Sequence, residues 1–237
     1  MSRHVRTGLA AILAIGLLSL PMRAVAGVPV LVELFTSQGC SACPPADAYL
    51  ARLAERDDVI PLSLHVDYWD YLGWRDIFAQ RRFTRRQKAY ARAAQLKTIY
   101  TPQFIVHGRE RIAGFHPEEI EEAIARAAAA PDPVKITVRR KGETFRITLA
   151  PADGRPIGPC IIQLVRYLPS LTVTITRGEN AGLTLTYANI VAEWTRIAEW
   201  DGRLPANATV TVEGDMPMVI VVQRKGPGEV AAVARLQ

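Results

Sequence analysis

Two cysteines separated by two residues, Cys40 and Cys43, form the pattern in this sequence that most directly indicates chemistry. An apolar, strand-like run at residues 28–35 precedes them, and residues 44–56 carry apolar side chains at helical spacing. A cysteine at a helix N-terminus faces unpaired backbone N–H groups and the positive end of the helix dipole, and both stabilise the thiolate. The pattern therefore predicts Cys40 as the attacking thiolate and Cys43 as the thiol that resolves a mixed disulfide.

Metal binding is the main alternative for a Cys-x-x-Cys pair. A structural zinc site needs two further ligands, and no second closely spaced pair exists among the other candidates, which are Cys160, His65, His107 and His116. We therefore predict no metal and no cofactor. A module that binds or delivers a soft ion such as Cu(I) through the same thiolates remains an alternative function. A non-enzymatic interaction protein is another.

The N-terminal residues have the pattern of a secretory signal peptide. Arg3 and Arg6 form a basic start, residues 9–20 are an uninterrupted apolar run, and Ala24 and Ala26 provide small residues at a cleavage site. The run is shorter than the about 20 residues of a transmembrane helix. The pattern predicts a signal peptide over residues 1–26 and a periplasmic or secreted protein, with no integral membrane segment after cleavage. In such a compartment disulfides persist.

The charge of the chain is only modestly positive. The formal net charge is +6, and half of it comes from Arg3, Arg6 and Arg23 within the predicted signal peptide. This balance does not favour nucleic acid as a partner. A basic stretch lies further on, and we interpret it as a solvated helix face. Its members are Arg81, Arg82, Arg85, Arg86, Lys88 and Arg92.

The mature chain divides into two halves of different character near residues 127–133, where four alanines are followed by Pro-Asp-Pro. Residues 27–131 alternate strand-like and helical segments, which predicts an α/β domain with a mixed sheet and flanking helices. The strands are expected at residues 28–35, 59–66, 103–107 and 109–113, and the helices at 44–56, within 76–96, and from Pro117. Residues 132–237 contain short strand-like segments separated by glycine turns, which predicts an all-β, sandwich-like domain.

A proline at the head of the third strand adds to the cysteine pattern. Pro102 cannot donate to a strand ladder, so it belongs at a strand start or edge. The order strand, Cys-x-x-Cys, helix, strand, helical stretch, Thr-Pro, two strands and helix resembles the thioredoxin superfamily. In that family the matching proline is cis and lies beside the disulfide. The resemblance implies the same for Pro102, with Thr101 presenting backbone groups to a bound substrate.

Three longer segments narrow the resemblance. Residues 33–47, 65–74 and 100–103 look like those of a family of exported bacterial thioredoxin-like proteins without an assigned role. This implies a thiol–disulfide oxidoreductase that acts on a protein or peptide and works with an unidentified redox partner. The chain departs from ordinary thioredoxins at Ser41-Ala42, which stands where Gly-Pro is usual, and at Gly39, which replaces an aromatic residue.

The resemblance also suggests roles for three residues near the cysteines. The segment Leu31-Val32-Glu33 is similar to Leu-Val-Asp of thioredoxin, which implies that Glu33 accepts a proton from Cys43. A shift of one residue along the strand would turn Glu33 to the opposite face of the sheet. Asp67 and Trp69 follow the second strand, at the edge where α/β folds bind ligands, so we expect them to bind substrate. Packing of these side chains onto the sheet is the alternative.

Overall fold

The structure is a computed structural model and describes residues 29–236. The predicted signal peptide, residues 1–26, lies outside this range. Within residues 29–236, no helix combines the length and the apolar character that crossing a membrane requires.

The first half of the described chain alternates strands and helices. Its elements are β1 (Val30–Thr36), α1 (Pro44–Leu53), β2 (Val59–His65), a short 3-10 helix (Asp70–Leu72), α2 (Arg81–Ala93), β3 (Gln103–Val106), β4 (Glu110–Ala113) and α3 (Pro117–Ala129). The second half is made of strands. They are β5 (Val134–Lys141), β6 (Thr144–Pro151), β7 (Cys160–Thr174), β8 (Thr184–Trp200), β9 (Ala206–Thr211), β10 (Met218–Arg224) and β11 (Val230–Leu236).

Strands of both halves share one mixed sheet with the order β11-β10-β7-β8-β2-β1-β3-β4. β1 and β2 are parallel, whereas β3 runs antiparallel to β1 and to β4. The halves meet where β8 pairs with β2 at Ser63 and Ile190. β5, β6 and β9 form a separate antiparallel sheet. The arrangement fits an α/β part followed by a β part.

All seven residues of β1 are buried, as is typical of a central strand covered on both faces. Val30, Val32 and Leu34 pack with residues of α1 and α3, whereas Leu31 and Phe35 pack with residues of α2. Because side chains alternate along a strand, odd-numbered and even-numbered residues of β1 face different helices. A further core lies between the three-stranded sheet and strands β7, β8, β10 and β11 of the large sheet.

The second half differs from the sequence expectation in strand length. The sequence predicts four separate strands at 160–167, 172–176, 183–187 and 190–198. The structure joins the first two into β7, which ends at Thr174, and the last two into β8. Their pairing continues through irregularities in register, one of them between Arg166 and Tyr167, so most of the residues between the expected segments stay in the ladder. β11 was not predicted, because its alanines have low strand propensity.

Candidate functional site

Cys40 and Cys43 are joined by a disulfide at the start of α1. Cys43 is the N-cap residue and Pro44 begins the helix, where the missing N–H of proline removes no hydrogen bond. The Cys43 N–H donates to the Cys40 carbonyl (3.1 Å), and the Asp47 N–H donates to the Cys43 carbonyl (3.0 Å). The cysteine pair therefore lies at the positive end of the helix dipole, as the sequence predicts. Both side chains are buried, with 2% of Cys40 and 0% of Cys43 exposed.

Trp69 connects the cysteine loop to the Thr101–Pro102 turn. Its indole N–H donates to the Thr101 hydroxyl at 2.7 Å, and the Thr101–Pro102 peptide is cis. On the other side, a Cβ added to Gly39 would lie 3.2 Å from the Trp69 Cβ, so there is little room for a side chain at that position. The close approach of Trp69 accounts for a glycine at position 39. Through Trp69, the predicted binding residues Thr101 and Pro102 are thus linked to the cysteine loop.

Asp67 has a different setting from the other predicted binding residues. Its carboxylate accepts a hydrogen bond from the Thr84 hydroxyl at 2.5 Å, and its N–H donates to the same hydroxyl at 3.2 Å. These contacts join the end of β2 to α2. Asp67 also lines a surface depression beside Arg81 and Arg85. Its hydrogen bonds stabilise the contact between these two elements and involve none of the residues around the disulfide.

Glu33 faces away from the disulfide. It shares its face of β1 with Leu31 and Phe35, which pack with α2, whereas α1 covers the other face. Its carboxylate accepts hydrogen bonds from Arg86 Nε (2.5 Å), Arg86 Nη2 (2.9 Å) and the Tyr90 hydroxyl (2.6 Å). The expected role of Glu33 as the proton acceptor of Cys43 is therefore not supported. The odd-numbered side chains of β1, including Glu33, point to the face of the sheet opposite α1. Its role here is structural.

Asp47 is the acidic residue that does lie next to the cysteines. It is one helical turn after Cys43, on the buried face of α1, and only 4% of it is exposed. Helical side chains tilt towards the N-terminus, so the Asp47 carboxyl covers the turn that contains Cys43. Within residues 29–236, neither oxygen of the carboxyl has a hydrogen-bond partner. Burial raises its pKa to about 7, which the nearby His65 ring only partly opposes.

Sequence reasoning missed Asp47, although a signal was present. The residue stands between Ala46 and Tyr49-Leu50 on the apolar side of a predicted helix. A carboxylate at such a position is rarely buried without a partner. The position of Asp47 could therefore have identified it as a site residue. It is an acidic residue on the core side of the helix, one turn after the second cysteine.

A buried pair, His65 and Asp76, lies close to Asp47. The His65 Nδ1 and an Asp76 carboxylate oxygen are 2.7 Å apart, and neither side chain is exposed. Although burial alone would raise the pKa of Asp76, His65 and the backbone N–H groups of Gln38 and Phe78 lower it below its ordinary value. The His65 ring also contacts Tyr187 of β8 edge to face, with centroids 5.0 Å apart.

Tyr187 brings the second half of the chain into the same buried cluster. Burial raises the pKa of its hydroxyl, and the Asp47 and Asp76 carboxyls raise it further. Among the described residues the hydroxyl has no hydrogen-bond partner, and the same holds for His65 Nε2. The cysteine pair therefore lies above a group of buried polar side chains from α1, β2 and β8 and the loop that carries Asp76.

Cys160 is remote from this site. It begins β7 and pairs with Trp200, whereas the other end of the β7–β8 hairpin, beyond Thr174 and Thr184, contacts the cysteine loop. Cys160 is fully buried in the core between the two sheets, and this burial raises the pKa of its thiol. These features are those of a small apolar core residue.

The described residues, 29–236, contain no group of three or more His, Cys, Asp or Glu side chains arranged to hold a metal ion. His65, Asp76 and Asp47 are instead neighbours within the buried cluster beneath α1. The two sulfurs of the Cys-x-x-Cys pair are bonded to each other.

Comparison with known proteins gives structural relatives. The crystal structure of protein AGR_C_4864 from Agrobacterium tumefaciens is similar, with a TM-score of 0.76 and 28% sequence identity over 90% of this chain and 96% of that one. HBP35 of Porphyromonas gingivalis shares the fold, with a TM-score of 0.59 and 18% identity over 89% of this chain and 75% of that one. No curated protein matches the sequence. A family profile matches residues 31–223, and the chain therefore belongs to the family described as "Protein of unknown function (DUF1223)".

Proposed function

We propose that this protein is an exported thiol–disulfide oxidoreductase of the thioredoxin-like type. The observation that carries the proposal is the Cys40–Cys43 disulfide at the N-terminus of α1, with the unpaired carboxyl of Asp47 one turn further along the helix. A helix N-terminus stabilises the thiolate that attacks, and a neighbouring group that titrates near neutral pH can exchange a proton with the thiol that resolves. Export rests on the signal-peptide pattern of residues 1–26.

The reaction begins, in the reducing direction, with the dithiol form. The Cys40 thiolate attacks one sulfur of a substrate disulfide, a mixed disulfide forms, and the first substrate thiolate leaves. Cys43 then passes its proton to the Asp47 carboxylate and attacks Cys40, which closes the Cys40–Cys43 bond and releases the second substrate thiolate. Two electrons move from the cysteine pair to the substrate. The same steps in reverse oxidise a substrate dithiol.

Asp47 suits the proton transfer because of where it lies. Cys43 is fully buried, so a thiolate formed there has little access to water. Asp47 is on the same face of α1, and its pKa of about 7 allows it to accept and return a proton near neutral pH. Trp69, Thr101 and Pro102 flank the loop on the side of β3, where a substrate strand would bind.

We expect the purified protein to catalyse the reduction of insulin by dithiothreitol and the refolding of scrambled ribonuclease. Cys40→Ser should lower both rates to the uncatalysed background, because no second thiolate can begin the exchange. Cys160→Ala is the matched control, since Cys160 is remote from the site, and it should keep the wild-type rate. Equal, background-level rates for wild type and Cys40→Ser would remove the enzymatic proposal.

A further inference from the structure

The Cys40–Cys43 disulfide is closed off from solvent. A thiolate must approach the sulfur that it attacks along the S–S bond, so the reaction rate depends on access as well as on pKa. Only 2% of Cys40 is exposed, although Ser41 and Ala42 between the cysteines are exposed. An element of the fold that contacts the cysteine loop therefore influences which thiols reach Cys40.

The tip of the β7–β8 hairpin, residues 175–183, is such an element. The side-chain amide of Asn180 donates one hydrogen bond to the Gln38 carbonyl and one to the Cys40 carbonyl, both at 2.9 Å. Asn180 is itself buried, with 4% exposed. Both N–H groups of the amide are thus used to hold the tip against the backbone of the cysteine loop.

A second contact of the hairpin tip is steric. A Cβ added to Gly178 would lie 3.1 Å from the Trp74 Cβ, so the tip packs closely on Trp74. Gly178 also has φ +78°, a conformation that favours glycine. The Trp74 indole N–H in turn donates to the Gln38 side-chain carbonyl at 2.8 Å. Gln38 is thereby held from two directions, by Asn180 and by Trp74.

The rest of the hairpin tip adds little to its attachment. Ile175 and Asn180 are buried, whereas Arg177, Glu179 and the residues at 181–183 are exposed. Backbone hydrogen bonds from Ile175 to Leu183 (2.9 Å) and from Gly182 to Ile175 (2.8 Å) keep the tip a compact unit. Few buried apolar contacts are lost when such a segment opens, so local opening costs much less than global unfolding.

We infer that Asn180 is a specificity-determining residue, because it holds the hairpin tip over the cysteine loop and so limits which thiols reach Cys40. A small thiol needs only a brief local opening, whereas a polypeptide needs the tip displaced. This role of Asn180 rests on the proposed oxidoreductase function for its biological meaning. The second half of the chain, through β7 and β8, thereby takes part in selecting the substrate.

The test compares the reaction of the oxidised protein with two thiols of different size. Dithiothreitol reduces the Cys40–Cys43 bond and is itself oxidised to its cyclic disulfide, while a single-cysteine peptide forms a mixed disulfide with Cys40 and leaves Cys43 as a thiol. Both rates are followed by acid quenching and mass spectrometry. Asn180→Ala should raise the peptide rate about tenfold, from the loss of two hydrogen bonds, and the dithiothreitol rate less.

Two further variants complete the design. Gly178→Ala should raise the ratio of peptide rate to dithiothreitol rate in the same direction, because its new methyl group separates the tip from Trp74. Glu179→Ala, an exposed change in the same tip, should leave the ratio unchanged. A ratio that stays at the wild-type value in both Asn180→Ala and Gly178→Ala would overturn the inference, even if both rates rose together. Insulin reduction tests the proposed function separately, so its failure would refute that function without deciding the role of Asn180.

Discussion

Replacing Asp47 with asparagine is expected to make the protein more stable than wild type at pH 8 and to remove that advantage near pH 4. The pKa of Asp47 is raised from 3.8 to about 7 in the folded protein by burial. Each pKa unit corresponds to about 1.4 kcal/mol, so ionising the buried carboxyl costs roughly 4 kcal/mol of folding free energy. Asparagine has nearly the same shape and does not ionise.

The sign of this effect follows from proton binding. Between pH 3.8 and about 7 the folded state keeps the Asp47 proton and the unfolded state loses it. The contribution of Asp47 to stability is therefore fully present below pH 4 and is lost as the pH rises through about 7. His65, Asp76 and Tyr187 face Asp47 and remain in both proteins, so the comparison isolates the effect of the Asp47 carboxyl.

Chemical denaturation of wild type and Asp47→Asn at several pH values measures this difference directly. The wild type should lose stability relative to the variant across the interval from pH 4 to pH 8. Asp132→Asn, the same substitution at an exposed residue, is the control and should show a much smaller pH-dependent difference. A constant difference between wild type and Asp47→Asn over the whole pH range would contradict the assignment of Asp47 as a buried group that titrates near neutrality.

Replacing Arg86 with methionine is expected to lower the free energy of unfolding by about 3–5 kcal/mol. The change leaves the Glu33 carboxylate, which is completely buried, without its ionic partner. Arg86 also donates to Gln223 of β10 at 3.1 Å and stacks over Trp194 of β8, 3.8 Å from the ring centroid. The residue therefore joins β1, α2 and the second half of the chain, and each of these contacts is lost in the variant.

A double variant separates the cost of the unpaired charge from the loss of packing. Arg86→Met combined with Glu33→Gln removes both charges and should recover a large part of the stability, as measured by urea denaturation. Arg126→Met is the matched control, because Arg126 is 56% exposed in its ion pair with Glu110 and should cost less than about 1 kcal/mol. If Arg86→Met and Arg126→Met had the same small effect, the Glu33–Arg86 pair would not be the buried link described above.

The burial of Arg86 in an ion pair could not be predicted from the basic stretch of sequence in which it lies. Six basic residues between positions 81 and 92 predict a solvated helix face, and most of them are exposed. Arg86 points instead into the interface with β1. Residues four apart lie on the same face of a helix, and Tyr90, four residues after Arg86, is fully buried against the sheet. Its partner, Glu33, lies far away in the sequence, so no local pattern reveals the pair.

The elements around the cysteines were predictable because their signals are local. An apolar run predicts β1, Cys43-Pro44-Pro45 predicts the start of α1, and Pro102 at the head of an apolar run predicts the start of β3. Glu33 was expected on the side of the sheet that faces the cysteines, but it lies on the other side. A shift of one residue in the alignment turns a strand side chain to the opposite face, and a resemblance between sequences does not determine the alignment that closely. Asn180 could not be predicted, because only the paths of β7 and β8 bring it to Cys40.

Trapping a mixed disulfide identifies the cysteine that attacks the substrate. Cys43→Ser cannot resolve the intermediate, so after incubation with an oxidised peptide substrate it should accumulate a covalent adduct on Cys40, detectable by mass spectrometry and removed by dithiothreitol. Cys40→Ser should form no such adduct, because Cys43 is fully buried. The absence of an adduct on Cys43→Ser, or an equal amount on Cys40→Ser, would contradict the account of Cys40 as the attacking thiolate.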